Sequence, residues 1–399
     1  MSAAAVGRAC RVERLRLFRF RNYAEETVEL GPGLNVVVGR NAQGKTNLLE
    51  AVATAALTRS PRAGNAVEVI GWGEPACRVT ASVLRPEGPV EIDLTLRRGD
   101  GERAVRTITV DGKARAARAV LGVCPVVLFW PDDLQLVKGG PEGRRRLLDI
   151  VLSQTDPQTA DDLVRYRRTI EQRNAMLRLV RDGSGSYAAV DAYTRELVEL
   201  GGRIRVARAA LVRSLDPLAT DALAELTDGR EVLELRYVGD GLPSACVDAV
   251  EASAELAALL ADRRTEEIAR GVTVAGPHRD DVDVLLDSRP ARSTASQGQQ
   301  RSIVLACKLA EVRHVGAVAG VAPVLLLDDV LSELDAGRRL RLLAALGAGT
   351  ATQALLTTSE TAALDLPAGA DVRRFSVHAG HVAADPAPAL PTAPAEEAV

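Results

Sequence analysis

Aromatic residues, cysteine and histidine are scarce in this chain of 399 amino acids. The eleven aromatic residues are too few for a platform on which the bases of a single nucleic-acid strand could stack in succession. The five cysteines are scattered and form no C-x-x-C pair, so we expect reduced thiols and neither disulfides nor a cysteine-held metal. The four histidines also lack the spacing of a zinc site.

A long apolar run is also missing. The longest uncharged apolar stretch, 315–327, has thirteen residues and is interrupted by glycine and proline, whereas a membrane-spanning helix needs about 20 residues. The first residues contain no apolar segment of the length found in signal peptides. From the sequence we therefore expect a cytoplasmic protein with no membrane partner. The formal net charge of −3 gives no overall attraction to nucleic acid, so any polyanion must bind to local patches.

Lysine is rare although basic residues are common. It occurs only at Lys45, Lys113, Lys138 and Lys308, and the other 46 basic residues are arginine. A lysine in such a chain indicates a position that requires a compact ammonium group rather than a planar guanidinium group.

The order of the predicted helices and strands divides the chain into three parts and a tail. Short apolar runs and alternating patterns in residues 1–138 and 272–384 predict strands interleaved with helices. Residues 139–271 show the spacing of long amphipathic helices, and the proline- and alanine-rich residues 385–399 are predicted to be disordered. We predict an α/β fold whose mixed, largely parallel sheet is built from both chain ends, with an inserted helical arm.

The stretch GRNAQGKT, 39–46, matches the phosphate-binding pattern G-x-x-x-x-G-K-[ST] between a predicted strand and a predicted helix. The glycines let backbone N–H groups surround phosphate oxygens, and the helix start adds a positive dipole. Lys45 would contact the β- and γ-phosphates, and Thr46 would offer its hydroxyl to Mg²⁺. We therefore predict ATP and Mg²⁺ as ligands. The predicted ATP contacts are Gly39, Arg40, Asn41, Ala42, Gln43, Gly44, Lys45 and Thr46.

The apolar run at 324–327 ends in two aspartates. Alone, this pattern fits an ordinary buried strand before an acidic turn equally well. In a chain with a phosphate loop it predicts a Walker B strand, in which Asp328 holds Mg²⁺ together with Thr46. Asp329 would orient or activate the attacking water, or assist a carboxylate that does so, which makes Asp329 and Lys45 the predicted catalytic residues.

The segment SQGQ at 296–299 opens a predicted helix with a capping box formed by Ser296 and Gln299. Gly298 lowers helix stability in the first turn by about 1 kcal/mol relative to alanine, but it lets a phosphate approach the backbone. A capped surface helix is the alternative interpretation. Beside a phosphate loop, the pattern predicts that Ser296, Gly298 and Gln299 contact ATP in trans, across a head-to-head homodimer.

The order of phosphate loop, helical insertion, S-x-G-Q and Walker B resembles the ATPase heads of the ABC class. Several further blocks resemble the RecF family of bacterial recombination and repair ATPases, which are short-armed relatives of SMC heads. The resemblance covers nearly the whole chain except the tail. Its blocks are LRLFRFRNY at 15–23, the phosphate loop, FWPDDLQLVKGGPEGRRRLLD at 129–149, QRNAML at 172–177, AGPHRDD at 275–281, SQGQQR at 296–301 and LLLDDVLSELD at 325–335.

This resemblance implies an ABC-type P-loop ATPase head that binds ATP, dimerises on DNA and hydrolyses ATP slowly. It implies recombinational repair and replication restart at DNA gaps or junctions, with single-stranded or duplex DNA, RecR- and RecO-like mediators, loading of the RecA recombinase and support of the SOS response. It also implies a DNA-stimulated, weak ATPase and a dimer-facing loop at Ser332, Glu333, Leu334 and Asp335.

Three departures from the ABC pattern favour a slow switch over a motor. Thr357, Thr358 and Ser359 stand where a switch histidine is expected, and Asp329 replaces the usual catalytic glutamate. No clear Q-loop glutamine follows the predicted strand at 126–130, and Gln135 is only a weak candidate for it.

DNA phosphates would be contacted by arginines. The scarcity of aromatic residues favours salt-sensitive contact with a duplex backbone, and clusters on solvated helix faces are the alternative interpretation for each group of arginines. The candidates are Arg59, Arg62, Arg144, Arg145, Arg146, Arg167, Arg168 and Arg173.

Two other functions compete with a DNA-repair switch. A nucleotide-binding subunit of a membrane transporter would share the phosphate loop, but the long helical insertion and the RNY and GPHRDD blocks argue against it. A structural SMC-like tether would need longer helices, because about 20–40 residues reach only some 30–60 Å.

Overall fold

The computed structural model describes residues 10–99, 103–242, 246–330, 353–359 and 371–385. The predicted helix from Asp335, the loop 332–335 and nearly all of the tail lie outside these ranges. The strands are β1 (Arg11–Phe20), β2 (Tyr23–Glu29), β3 (Leu34–Val38), β4 (Ala76–Arg85), β5 (Gly88–Arg98), β6 (Ala104–Val110), β7 (Lys113–Ala114), β8 (Val126–Phe129), β9 (Leu233–Val238), β10 (Asp281–Leu286), β11 (Arg289–Pro290), β12 (Val324–Asp328), β13 (Ala354–Thr358), β14 (Val372–His378) and β15 (His381–Ala384).

The helices of the described ranges include two that exceed 24 residues. The α-helices of these ranges are α1 (Lys45–Leu57), α2 (Gln135–Lys138), α3 (Pro141–Thr155), α4 (Pro157–Arg181), α5 (Tyr187–Thr227), α6 (Ala249–Asp262), α7 (Arg264–Arg270), α8 (Ala291–Thr294) and α9 (Gln297–Ala319). None of these helices combines the length and the apolar character that a membrane crossing requires.

The central sheet has the strand order β15-β14-β3-β13-β12-β8. β3, from the N-terminal part of the chain, lies between β13 and β14 from the C-terminal part, and these strands run parallel, whereas β14 and β15 form an antiparallel hairpin. β12 and β13 are buried along their whole length, as expected for parallel strands covered on both faces. The prediction of a mixed sheet built from both chain ends is therefore confirmed.

A second sheet, of order β2-β1-β4-β5-β6-β7, is antiparallel and covers one side of α1. In β1, buried Leu15 and Leu17 alternate with exposed positions, so one face of this sheet enters the core that contains Leu48 and Leu49 of α1. This core fixes the position of α1, and with it the phosphate loop that precedes α1.

The helical arm is an antiparallel pair, α4 and α5, with α3, α6 and α7 packed around it. Residues 183–186, with the sequence GSGS, separate α4 from α5. β9 leaves the arm and pairs with β10, which belongs to the C-terminal part of the head. Residues 272–280, which precede β10, form no strand. The predicted domain boundaries at 138 and 271 stay predictions.

Two buried arginines of the arm, each paired with a carboxylate, contact the segment that precedes β10. Arg205 of α5 is fully buried and lies 2.8 Å from Asp280, which also accepts a hydrogen bond from the Tyr237 hydroxyl. Arg173 of α4 pairs with the buried Glu267 of α7 at 2.6 Å, and it also donates to the hydroxyl of Thr273, which lies in the segment before β10, at 2.8 Å. Breaking such a pair leaves an uncompensated buried charge, which costs about 3–5 kcal/mol. These arginines therefore lock the arm in place, and we leave Arg173 out of any DNA-contacting surface.

Candidate nucleotide-binding site

The phosphate loop (39–46) connects β3 to α1, as the motif predicted. The Lys45 ammonium donates to the carbonyl oxygens of Gly39 at 2.6 Å and Arg40 at 3.1 Å. Gly44 has φ of 123°, a value that favours glycine, and no side chain caps the start of α1. The first N–H groups of α1 therefore have no partner within the helix and can donate hydrogen bonds to an anion held by the loop.

Thr46 and Asp328, the two predicted Mg²⁺ ligands, are in direct contact. The Thr46 hydroxyl lies 2.9 Å from each carboxylate oxygen of Asp328, and the Thr357 hydroxyl donates to the same carboxylate at 2.7 Å. Hydroxyl and carboxylate oxygens are the ligands that Mg²⁺ prefers, so this donor set fits the predicted ion. Burial raises the pKa of Asp328, while the hydrogen bonds from Thr357 and Thr46 oppose that increase.

Burial and two neighbouring carboxylates shift the pKa of Lys45 in opposite directions. Burial lowers the pKa of Lys45, and the carboxylates of Asp329 and Asp328 act in the opposite direction. Asp329 follows β12 with φ of 51°, and its backbone N–H donates to the Thr357 hydroxyl at 2.9 Å. A non-glycine residue in this left-handed region indicates a local constraint at the strand end.

The turn between β1 and β2, for which the sequence pattern predicted no role, contacts the phosphate loop. The Asn22 side chain donates to the Gln43 carbonyl oxygen at 2.9 Å, and the Tyr23 hydroxyl donates to the Gly44 carbonyl oxygen at 2.9 Å. The Asn47 side chain then donates to Asn22 at 2.9 Å. A Cβ atom on Gly44 would lie 2.7 Å from Asn22, so this glycine is required for the close approach. The RNY block was recognisable as part of the family resemblance, but its residue types alone did not indicate a contact with the phosphate loop.

The β14–β15 hairpin supports the other side of the loop. The backbone N–H groups of Gly380 and Ala379 donate to the carbonyl and side-chain oxygens of Gln43 at 3.1 and 2.8 Å. A Cβ atom on Gly39 would lie 2.6 Å from the Val377 carbonyl oxygen. The loop is therefore held between the N-terminal turn and a hairpin from the opposite end of the chain.

Glu50, which is fully buried on α1, ties three polar side chains to this region. Arg21 lies 2.6 Å from one carboxylate oxygen and Arg62 lies 3.1 Å from the other, and Ser60 donates to Glu50 as well. The Arg62 guanidinium also lies over the Trp130 ring at 5.9 Å. Arg62, a predicted DNA contact, is thus engaged beside the nucleotide site.

A cleft of about 750 Å³ opens in front of Thr46 and Asp328. Arg62, Trp130 and Gln135 are among the residues that line it. Gln135 begins α2 just after β8, so the weak candidate for a Q-loop glutamine does face the predicted metal ligands. Asp328 also lines a smaller cavity beside α9 with Arg301 and Asp329.

The predicted signature segment (296–299) begins α9 as expected. The capping box is present: the Ser296 hydroxyl accepts the Gln299 N–H at 3.3 Å, and the Gln299 side chain accepts the Ser296 N–H at 2.7 Å. The Gln299 amide also donates to Glu231 at 3.0 Å. Within the described ranges, no hydrogen bond or ion pair joins this segment to the phosphate loop of the same chain.

The candidate DNA-contacting arginines separate into distinct environments. Arg144 is buried, with a two-bond contact to Asp281 at 2.7 and 2.8 Å and further bonds to backbone carbonyls, so we exclude it from a DNA surface. Arg168 is exposed on α4. Arg59, Arg145, Arg146 and Arg167 line a single cleft between the head and the arm.

These features define a P-loop ATPase head of the ABC type. A family model described as an AAA domain matches residues 14–171. An SMC head domain from Pyrococcus furiosus shares the fold, with a TM-score of 0.52 at 15% identity over 94% of this chain and 96% of that chain.

Individual relatives narrow the class. The chain is 42% identical to the DNA replication and repair protein RecF of Symbiobacterium thermophilum, over 93% of this chain and 97% of that protein. It is 37% identical to RecF of Shouchella clausii, over 93% and 98%. A solved structure of the recombination mediator protein RecF with ATP, of the RecFOR pathway, matches with a TM-score of 0.86 at 28% identity over 95% and 98%. The chain therefore belongs to the RecF family of DNA replication and repair proteins, and this membership argues against a transporter subunit.

Proposed function

We propose that this protein binds ATP with Mg²⁺ at the phosphate loop and that ATP binding joins two heads into a dimer on DNA. The observation that carries the proposal is the contact of Thr46 with Asp328 beside Lys45. These are the three groups that a P-loop ATPase uses on the terminal phosphates and their metal ion.

The residues of the site divide the work among them. Lys45 exchanges its two backbone carbonyl partners for β- and γ-phosphate oxygens, and the N–H groups at the start of α1 hold the phosphates. Thr46 and Asp328 would hold Mg²⁺, which neutralises charge on the phosphates. Asp329 orients or activates the attacking water, and Gln135 faces the same cleft.

The dimer is proposed from the signature segment. Ser296, Gly298 and Gln299 would contact the ATP that is bound by the partner chain, because a capped helix start with a glycine presents free backbone donors to an anion. Hydrolysis is proposed to be slow, because Asp329 stands in place of a glutamate and Thr357, Thr358 and Ser359 offer no histidine. Slow hydrolysis would act as a timer for release from DNA.

Membership of the RecF family supports a proposal for the biological setting. We propose a cytoplasmic role in recombinational repair and replication restart, in which the ATP-bound dimer recognises gapped DNA or junctions. RecR- and RecO-like mediators would be its partners, and RecA loading and the SOS response its consequences. A relative of the same family with bound ATP, at 28% identity, supports the nucleotide part of this proposal.

Sedimentation velocity with and without Mg·ATP tests the proposal. We expect a monomer without nucleotide, a dimer with Mg·ATP, and a larger shift when a short gapped duplex is added. Lys45→Ala should abolish the shift by weakening ATP binding, and Ser296→Arg should abolish it while ATP still binds. A nucleotide-independent dimer that Ser296→Arg leaves intact would contradict the composite site.

A further inference from the structure

A cleft of about 580 Å³ separates the head from the arm, away from the phosphate loop. The segment after α1 forms one wall, and α3, α4 and α5 form the other. We call it the arginine cleft, because Arg59, Arg145, Arg146, Arg167 and Arg208 line it, against the carboxylates of Glu142 and Asp149.

Two of these arginines have structural partners. Arg208 lies 2.7 Å from Asp149 and donates to the Pro277 carbonyl oxygen at 2.6 Å. Arg145 donates to the Asp280 carbonyl oxygen at 2.8 Å. Asp149 is therefore already committed to Arg208, and both arginines help to fix the arm.

The other three, Arg59, Arg146 and Arg167, are exposed within the cleft. Among the described residues, none of the three donates a hydrogen bond or forms an ion pair. Each comes from a different element: the segment after α1, α3 and α4. The Arg59 side chain is exposed, but partial burial between the walls of the cleft lowers its pKa; the charges of Arg167 and Arg146 act in the same direction, and the Asp149 carboxylate opposes them. Three converging cations repel one another, so an anion that reaches all three is stabilised by each of them.

The remaining wall of the cleft does not compete for this anion. Burial lowers the pKa of His278 to about 4, so its ring is neutral at pH 7. Its Nε2–H donates to the Thr273 carbonyl oxygen at 3.2 Å, and its Nδ1 accepts a hydrogen bond from the Tyr166 hydroxyl at 2.8 Å. Glu142 is exposed in the first turn of α3, where a carboxylate complements the helix dipole. Ile170 and Leu163 supply apolar surface. The ring of Tyr166, which also lines the cleft, is buried and therefore not free for stacking.

The dimensions restrict the ligand. A volume of about 580 Å³ lies within the range of about 300–1,000 Å³ that is typical of sites for small molecules. A short run of about three linked phosphates with their sugars fits such a space, whereas a whole duplex does not. With arginines on both walls and no stacking surface, the cleft suits the phosphate chain rather than the bases.

We propose that the arginine cleft is a second phosphate-binding site, in which Arg59, Arg146 and Arg167 hold consecutive phosphates of an unpaired nucleic-acid strand or of a free polyphosphate compound. The nucleic-acid source of the phosphates rests on the proposed function, whereas the phosphate chemistry does not. A strand that enters the cleft would contact the head and the arm together.

The test uses the full chain with Lys45→Ala, so that the phosphate loop does not contribute to binding. On this background the triple variant R59Q/R146Q/R167Q is compared with R195Q, which removes an exposed arginine of α5 outside the cleft. The probes are a labelled single strand of about 12 nucleotides, within the usual range of site sizes, its duplex, and inorganic tripolyphosphate. Circular dichroism and thermal unfolding verify that each variant is folded.

We expect the triple variant to bind the single strand about 10- to 100-fold more weakly at 0.1 M salt. The slope of log K against log salt should become shallower by about 2, since each phosphate contact on a single strand contributes about 0.7. Duplex binding and the R195Q variant should change little. If the parent binds tripolyphosphate and the triple variant does not, while neither protein binds the single strand, the natural ligand of the cleft is a free polyphosphate compound.

Two results would overturn the inference. One is a triple variant that binds both the single strand and tripolyphosphate as tightly as its parent. The other is an equal loss of duplex and single-strand binding, which would assign these arginines to a duplex surface. If the parent binds tripolyphosphate but no DNA, and the triple variant does not bind tripolyphosphate, the DNA function is refuted and the phosphate-binding site is supported.

Discussion

The hydroxyl oxygen of Thr46 lies 2.9 Å from both carboxylate oxygens of Asp328, although 282 positions separate the two residues in the chain. The contact follows from the sheet. β12 ends at Asp328 beside β13, and α1 begins at Lys45 next to the same edge. Because the carboxyl ends of parallel strands lie along one edge of a sheet, the loop and the carboxylate meet there.

The first prediction concerns Asp328 and nucleotide binding. Asp328→Asn keeps the size of the side chain but removes the charge that would hold Mg²⁺, so the stabilisation of the protein by Mg·ATP should be lost. Saturating ligand at 100 times its dissociation constant stabilises a protein by about 2.7 kcal/mol, and differential scanning fluorimetry detects this shift. A full Mg·ATP shift in the variant would contradict the assigned role.

The same substitution should raise stability without nucleotide. Burial raises the pKa of Asp328 above its unfolded value, so the folded state binds the proton more tightly. Stability is therefore lost as pH rises from the unfolded pKa, near 3.8, through the higher folded pKa, and the full cost is present at pH 7. Asp328→Asn should have the higher Tm at pH 7, with a difference that shrinks as pH falls toward 4. A difference that grows in acid would refute this sign.

The sequence carried the chemistry of the phosphate loop because spacing and residue type are both local there. GRNAQGKT between a strand and a helix predicted the placement of Lys45 and Thr46, and the apolar run before Asp328 predicted a strand end. The sheet that brings them together was predictable from the alternation of strands and helices. The Asp111-Gly112 turn was also predictable, and both residues do have positive φ.

Other parts of the site depend on contacts between distant segments that no pattern encodes. Asn22 reaches Gln43 only because β1 and β2 pack beside α1, and Ala379 reaches it from the far end of the chain. Nothing in an arginine-rich sequence distinguishes buried Arg144 from exposed Arg146 two positions later. Two positions along a helix turn the side-chain direction by about 200°, so Arg144 contacts Asp281 of β10 while Arg146 lies on the opposite face of α3. Which face packs against β10 is a property of the tertiary structure.

The second prediction tests the support of the phosphate loop by Tyr23. Tyr23→Phe removes one hydrogen bond to the Gly44 carbonyl and changes nothing else in shape. A net hydrogen bond is worth about 0.5–1.5 kcal/mol, so ATP affinity should fall by roughly 2- to 12-fold if the bond orders the loop. Isothermal titration with Mg·ATP measures the loss. Tyr187→Phe, at an exposed position on the arm, is the matched control, and an equal effect in both variants would remove the assigned role.

The third prediction concerns the lock between the arm and the head. Arg205→Met removes the partner of Asp280, whose side chain is 1% exposed, and should destabilise the protein by about 3–5 kcal/mol. The exposed pair of Arg165 and Glu196, at 2.8 Å, is the control, and Arg165→Met should cost at most about 1 kcal/mol. Urea denaturation compares the two variants. Similar losses would mean that burial of the ion pair does not decide its importance.

The last prediction concerns Lys308, one of the four lysines. Its ammonium group lies 3.1 Å from Glu311 and 3.6 Å from Asp133, and all three side chains are largely buried between α9 and the segment after β8. Burial opposes the charge of Lys308, but Asp133 and Glu311 raise its pKa, whereas burial raises the pKa of both carboxyl groups.

Lys308→Met leaves two buried carboxyl groups without a cation, which raises their folded pKa further above the unfolded values. The penalty therefore grows as pH rises, so the loss of Tm relative to the wild type should be larger at pH 8 than at pH 5. Lys308→Arg keeps the charge but not the compact shape, and we expect it to restore only part of the stability. Equal losses of Tm at pH 5 and pH 8 in Lys308→Met would show that the lysine acts by packing and not by its charge.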